Sequence, residues 1–176
     1  FLLHKAYSQI RIKKTYHEKY ILIYAFENDP AIEQIAQKLS QEHGYKIYSI
    51  SDSMTLGYAH KNIYNAGPIE FLEYINSAQI FLSNSFHGTA FSVILEKDFY
   101  VLGLNSIKIN TRMVDLMATL GLSDRYVYSS NDVSQQNPID YSQVRLKLDH
   151  YQAVSRRYLI DLIASAQNKQ NSSEGA

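Results

Sequence analysis

The run Ile80-Phe81-Leu82, the polar turn Ser83-Asn84-Ser85-Phe86-His87-Gly88-Thr89-Ala90-Phe91-Ser92 and the apolar run Val93-Ile94-Leu95 set the architecture of this chain. The order reads as a buried strand, a turn and a helix. A helix start leaves its first backbone N–H groups without intrahelical partners, where an anion can take them. Ser83, Asn84 and Ser85 are all good N-cap residues. His87 beside such a start can serve as a phosphate ligand or a proton donor. The plainer alternative is a capped helix whose histidine falls near the first turn by chance.

The same alternation extends outward in both directions. Tyr20–Phe26 is apolar on both faces, as a central parallel strand covered on both sides must be. Asp29 as N-cap and Pro30 at the first helical position open a helix whose stripe is Ile32, Ile35, Ala36 and Leu39. Gly44 closes it, and Tyr45–Ser51 is a second strand. Residues 52–67 lack a clean period and read as a long loop, with His60-Lys61 as an exposed pair. Gly67-Pro68 starts the next helix, with Glu70 in its first turn, Ile69, Leu72 and Ile75 inward and Phe71 a further candidate for that face. Downstream, Gln79–Leu82 and Asp98–Leu104 are strands and Phe86–Glu96 is a helix. Asn110 or Thr111 caps a helix with Met113, Leu116, Met117 and Leu120 inward, and Arg125–Ser129 reads as a short strand. Asp140 caps the longest helix, along which Val144, Leu148, Tyr151, Val154, Leu159, Leu162 and Ile163 recur at helical spacing.

Alternating strands and helices imply an α/β, Rossmann-like three-layer sandwich with a mainly parallel sheet. In a Rossmann-like order the first strand and the Ile80 strand are neighbours whose connections leave in opposite directions. Ligands bind outside the carboxyl ends of strands at such a switch point, here between Glu27–Asp29 and Ser83–His87. The predicted organisation is a connecting segment over 1–19, a folded unit over 20–167 and a flexible tail over 168–176.

Composition narrows the chemistry. Seventeen basic residues balance seventeen acidic ones, which argues against a dedicated nucleic-acid surface. There is no cysteine, so disulfides, thiolate metal sites and a cysteine nucleophile are excluded, in keeping with a cytoplasmic location. No apolar stretch is long enough to span a membrane. The six histidines show no metal-ligand spacing, so no metal is expected. Gly-x-Ser-x-Gly, Gly-x-Gly-x-x-Gly and Walker patterns are all missing. What remains is an anion site with a histidine, and Arg112, early in a helix that follows a strand, is the best candidate second cation. A surface pair with Asp115 is its alternative. The short basic run Arg11–Lys14 reads as a solvated segment.

Three blocks carry a resemblance: Gly67-Pro68-Ile69-Glu70-Phe71-Leu72-Glu73-Tyr74-Ile75 with Ala78, then Ser83–Ser92, then Asn110-Thr111-Arg112-Met113 through Leu120-Gly121-Leu122-Ser123-Asp124-Arg125. In order and spacing they resemble the polysaccharide pyruvyl transferase family, which is similar to glycosyltransferase-B enzymes with two Rossmann-like lobes. The resemblance implies that this chain is the C-terminal lobe, with Phe1-Leu2-Leu3 as the exit from a first lobe. It implies transfer of pyruvate from phosphoenolpyruvate to a sugar as a ketal, in exopolysaccharide or cell-surface polysaccharide biosynthesis, without a cofactor.

The resemblance gives His87 the catalytic role. It implies substrate contacts from Ser83, Asn84, Ser85, Phe86, Gly88, Thr89, Arg112 and Glu70. Glu70 could accept a sugar hydroxyl or simply favour its helix N-terminus, worth a few tenths to ~1 kcal/mol. The implied partners are phosphoenolpyruvate, a saccharide acceptor (free or lipid-linked, the latter placing the protein at the membrane periphery) and the first lobe, which supplies a further basic residue. The lobe alone is expected to bind weakly without turnover. Two other readings stay open: a glycosyltransferase lobe binding a nucleotide sugar, and a non-catalytic glycan-assembly lobe.

Overall fold

The structure, a computed structural model, describes residues 18–103, 111–133 and 137–173. Residues 1–17 of the connecting segment (with Arg11–Lys14), Asn110 as a helix cap, and residues 174–176 of the tail lie outside the described residues. Five strands form one parallel sheet: β1 (Tyr20–Tyr24), β2 (Lys46–Ile50), β3 (Lys61–Ile63), β4 (Ile80–Ser83) and β5 (Asp98–Val101). Their order is β3-β2-β1-β4-β5, so β1 and β4 are neighbours, with Tyr24 in register with Ser83. The expected switch point is therefore present.

Alternate residues of β1 feed two cores. Ile21 and Ile23 face α1 (Pro30–His43) through Ile32, Ile35, Ala36 and Leu39. Tyr20 and Leu22 face α2 (Pro68–Ser77), α3 (Phe86–Ile94) and α4 (Thr111–Leu120) on the other side. Both faces are covered, which is why β1 is apolar throughout. Full burial of each such aliphatic or aromatic side chain stabilises by about 1.5–3 kcal/mol. Tyr20 can be buried because its hydroxyl donates to the Tyr74 carbonyl at 2.7 Å.

Local chemistry starts and stops the helices as read. The Asp29 carboxylate accepts from the Ala31 N–H at 2.8 Å ahead of Pro30, and Gly44 ends α1 at φ +69°. In α2, Leu72, Tyr74 and Ile75 are buried, but Ile69, in the helix's first turn, is half exposed.

Residues 51–60 carry β2 to β3 without a helix, and buried Leu56 takes a helix's place in the α1-side core. Within this segment His60 is anchored rather than free: its Nδ1 accepts from the Ile47 N–H at 3.1 Å and its N–H donates to the Ile47 carbonyl at 2.8 Å. Lys61 lies over the Tyr48 ring.

Two further expectations change. Arg125–Ser129 is not a strand. Ser123–Arg125 forms a 3₁₀ turn, and only Tyr126 makes a bridge, to Val101. Here the turn following Gly121 places the chain at the sheet edge for a single pairing, overriding the β-propensity of Tyr126-Val127-Tyr128. The last helix, α5 (Tyr141–Ser173), runs into the span assigned to a tail, with no proline or glycine to end it before Gly175. Val144 and Leu148 of α5 are buried, whereas Tyr151, Val154, Leu159, Leu162 and Ile163 are exposed.

Candidate functional site

The turn after β4 is built almost entirely from buried polar residues. Ser83, Asn84, Ser85, Thr89 and Ser92 are each 0–1% exposed. Such groups are tolerated inside chiefly when hydrogen-bonded, and all but one of the polar atoms here are. Ser83 Oγ donates to the Tyr24 carbonyl at 2.6 Å and accepts from the Ser85 N–H at 3.0 Å. Ser85 is the N-cap of α3, its Oγ facing the Gly88 N–H at 3.4 Å. Thr89 Oγ1 donates to the Ser85 carbonyl and Ser92 Oγ to the Gly88 carbonyl, each at 2.9 Å. Asn84 Oδ1 accepts from the Phe26 N–H at 3.0 Å, which ties the loop after β1 to the loop after β4. The Asn84 Nδ2 group is buried with no partner among the described residues.

This internal network spends the side chains of Ser83, Ser85 and Thr89, and the Oδ1 of Asn84, on the turn itself. Their contribution to a ligand would be indirect, by fixing the start of α3. There the amides of Phe86 and His87, the first two residues of the helix, have no intrahelical acceptor. Gly88 is buried against β4 and carries no side chain to reach outward.

His87, by contrast, is exposed at the first turn of α3 and sets its imidazole edge-on to the Phe86 ring at 5.9 Å. Arg112, exposed in the first turn of α4, holds its guanidinium over the same Phe86 ring at 5.2 Å rather than pairing with Asp115. Phe86 thus gathers the two candidate functional groups of the sequence reading around one aromatic ring. Phe86 and Arg112 also open onto a cleft of about 350 Å³ reaching Leu116 and Leu148. Glu70 does not join them: it is exposed, and its carboxylate folds back against Gly67 at the start of α2. That position matches the helix-terminus role.

A second concavity lies at the carboxyl ends of β1 and β2, beside the turn. It measures about 210 Å³ and involves Tyr24, Ser51, Asp52, Pro68 and Phe71. Tyr24 and Phe71 pack edge to face at 4.8 Å. The sequence reading did not assign these residues a role. The available signal was positional, since Tyr24 ends β1 and Asp52 follows β2 at the ligand edge of a parallel sheet.

The three-layer unit, its switch point and the histidine at the start of α3 are the setting for the comparisons with known proteins. A family model described as Polysaccharide pyruvyl transferase matches residues 1–106. The chain belongs to the polysaccharide pyruvyl transferase family. The match takes in all five strands, the α2 block and Ser83–Ser92, with His87 inside it. Arg112 and the third sequence block lie beyond the matched span of this family member. No curated protein matches the chain significantly. Among the described residues of this family member, no group of three or more His, Cys, Asp or Glu side chains is placed to hold a metal ion, and no helix is long and apolar enough to cross a membrane.

Proposed function

We propose that this protein takes part in transferring pyruvate from phosphoenolpyruvate to two hydroxyls of a sugar, forming a cyclic ketal on a cell-surface or extracellular polysaccharide. In the reaction the enol methylene gains a proton and becomes a methyl group. One sugar hydroxyl attacks the resulting cationic carbon, phosphate leaves with its bridging oxygen, and a second hydroxyl closes the ketal. Of the two hydroxyl protons released, one balances the proton taken up by the methylene and the other leaves with phosphate. Catalysis needs a proton donor beside fixed positive ends that hold phosphate and carboxylate.

The observation that carries this reading is His87, exposed beside the uncommitted amides at the start of α3, with Arg112 across the Phe86 ring. His87 is the proton donor or relay. The α3 amides and Arg112 hold the anionic groups of the donor, and the buried serine network keeps the amides aimed. On this reading the Rossmann-like unit is the donor lobe of a two-lobed enzyme, so it binds the donor and needs the other lobe for turnover.

Calorimetric titration of phosphoenolpyruvate into the protein tests this. Saturable binding is expected, with His87→Ala and Arg112→Ala each weakening it about tenfold or more, the scale of one charge-assisted contact at ~1.5–3 kcal/mol. Absence of binding, or binding indifferent to His87→Ala, rules the reading out.

A further inference from the structure

The concavity beside the turn has a chemistry opposite to that of the α3 start. Its polar wall is Asp52, exposed and held in place because one carboxylate oxygen accepts the Asn65 N–H at 2.8 Å. Asn65 adopts the left-handed conformation (φ +56°), which Asn tolerates better than most residues. The other Asp52 oxygen takes no hydrogen bond among the described residues. Tyr24 and Phe71 make the apolar wall, and Phe71 is backed by Phe91 at 6.1 Å. Among the described residues, no lysine or arginine lines the space.

A phosphate or carboxylate brought here would meet the Asp52 carboxylate without a compensating cation, and like charges repel. A neutral polyol meets what it needs: an acceptor for its hydroxyls and an apolar surface for its C–H face. At about 210 Å³ the space is below the ~300–1,000 Å³ of pockets for drug-sized ligands, and suits a single sugar ring. It also adjoins the donor side, because Tyr24 is the register partner of Ser83 and its carbonyl accepts the Ser83 hydroxyl.

We propose that this crevice is a saccharide subsite, in which Asp52 accepts hydrogen bonds from ring hydroxyls while Tyr24 and Phe71 cover the C–H face of one pyranose. Its assignment to the acceptor rests on the pyruvyl-transfer reading above. The two substrates are then sorted by charge across adjoining strand ends: the anion at α3, the neutral ring between β1 and β2.

The test is a pair of NMR titrations of the 176-residue chain, one with methyl β-galactopyranoside, methyl β-glucopyranoside and methyl α-mannopyranoside in turn, the other with phosphoenolpyruvate. At least one glycoside is expected to shift the Asn65 and Ala66 amides and the Tyr24 and Phe71 ring signals, with phosphoenolpyruvate shifting Phe86 and His87 instead. Asp52→Asn keeps an oxygen for the Asn65 N–H and should weaken glycoside binding at least tenfold. Phe71→Leu, which keeps the site apolar, is the second variant and should weaken it as well.

Glycosides that leave the crevice signals unmoved, or bind Asp52→Asn and Phe71→Leu as well as the parent, overturn the subsite. Phosphoenolpyruvate shifting the crevice in place of His87 overturns it too. Glycosides shifting the crevice while phosphoenolpyruvate shifts nothing support the sugar site and overturn the donor reading separately.

Discussion

Gly88 shows how a residue in the candidate site can act through packing alone. A Cβ built there would lie 2.8 Å from Ser83 Oγ and 3.1 Å from the Phe81 ring. Neither neighbour can yield cheaply. Ser83 Oγ is bound on two sides, and Phe81 is wholly buried. Gly88→Ala should therefore push α3 off β4 and cost about 1–3 kcal/mol, as overpacking does. For a chain of this size that lowers Tm by roughly 2–4 °C per kcal/mol. A thermal melt matching the parent within error would show that α3 is not seated as described.

The family resemblance put Gly88 among the substrate contacts. Only the β4 pairing reveals what its missing side chain makes room for. His87 was more legible, since its place follows from the strand-turn-helix order. Tyr24, Asp52 and Phe71 were not, because they meet only once β1, β2 and α2 are assembled.

Among the elements, the 3₁₀ turn Ser123–Arg125 is pinned to β5 by a buried arginine. Arg125 is 1% exposed and pairs with Asp98 at 2.8 Å, stacks over the Tyr100 ring and donates to the Asn137 carbonyl. The two partners are unequal, with side-chain exposures of 2% for Arg125 and 43% for Asp98. Asp98→Asn removes the 2.8 Å partner of a buried guanidinium and leaves it only the more distant, exposed Asp124 carboxylate at 3.6 Å. Arg125→Met leaves Asp98 where water can reach it and fills the space with an apolar chain of similar length. Urea denaturation should thus rank Asp98→Asn as the more damaging change, and the reverse order would mean that water already reaches the guanidinium.

Elements whose ends are written in local chemistry, such as Asp29-Pro30 and Gly44 around α1, were readable from sequence. The edge bridge at Tyr126 and the burial of Leu56 in the α1-side core were not. Each depends on which neighbour covers the segment, and short apolar runs do not specify that.

For the molecule as a whole, pH reports on how its carboxylates are held. Hydrogen bonding keeps three below their ordinary range: Glu18 through Lys46 and Tyr48, Asp132 through the Tyr128 and Ser129 amides, and Asp140 through Ser142. Their contribution is present above the ordinary carboxylate range, about 4, and is lost as pH falls through their lower folded values. Asp98 runs the other way. Burial raises it despite the pull of Arg125, so its contribution is present at low pH and fades as pH rises through its folded value. Three groups against one predicts that Tm falls on acidification from about pH 5 to pH 3. Asp132→Asn should flatten that slope, and a Tm that rises toward pH 3 would mean that Asp98 dominates. The fold class itself was readable at this scale, because strands apolar on both faces can sit only inside a covered parallel sheet.

Because every strand of the sheet runs in one direction, the molecule has a front and a back. The front carries the loops after Tyr24, Ile50 and Ser83, where both candidate substrate positions lie. The back carries the turns that lead into β2 and β5, closed by Gly44 (φ +69°) and by Glu96 (φ +52°). For the experimenter this is a built-in handle. A dye, spin label or surface tether attached at exposed Glu42 or His43 holds the protein from behind and leaves the substrate-facing edge turned toward solution.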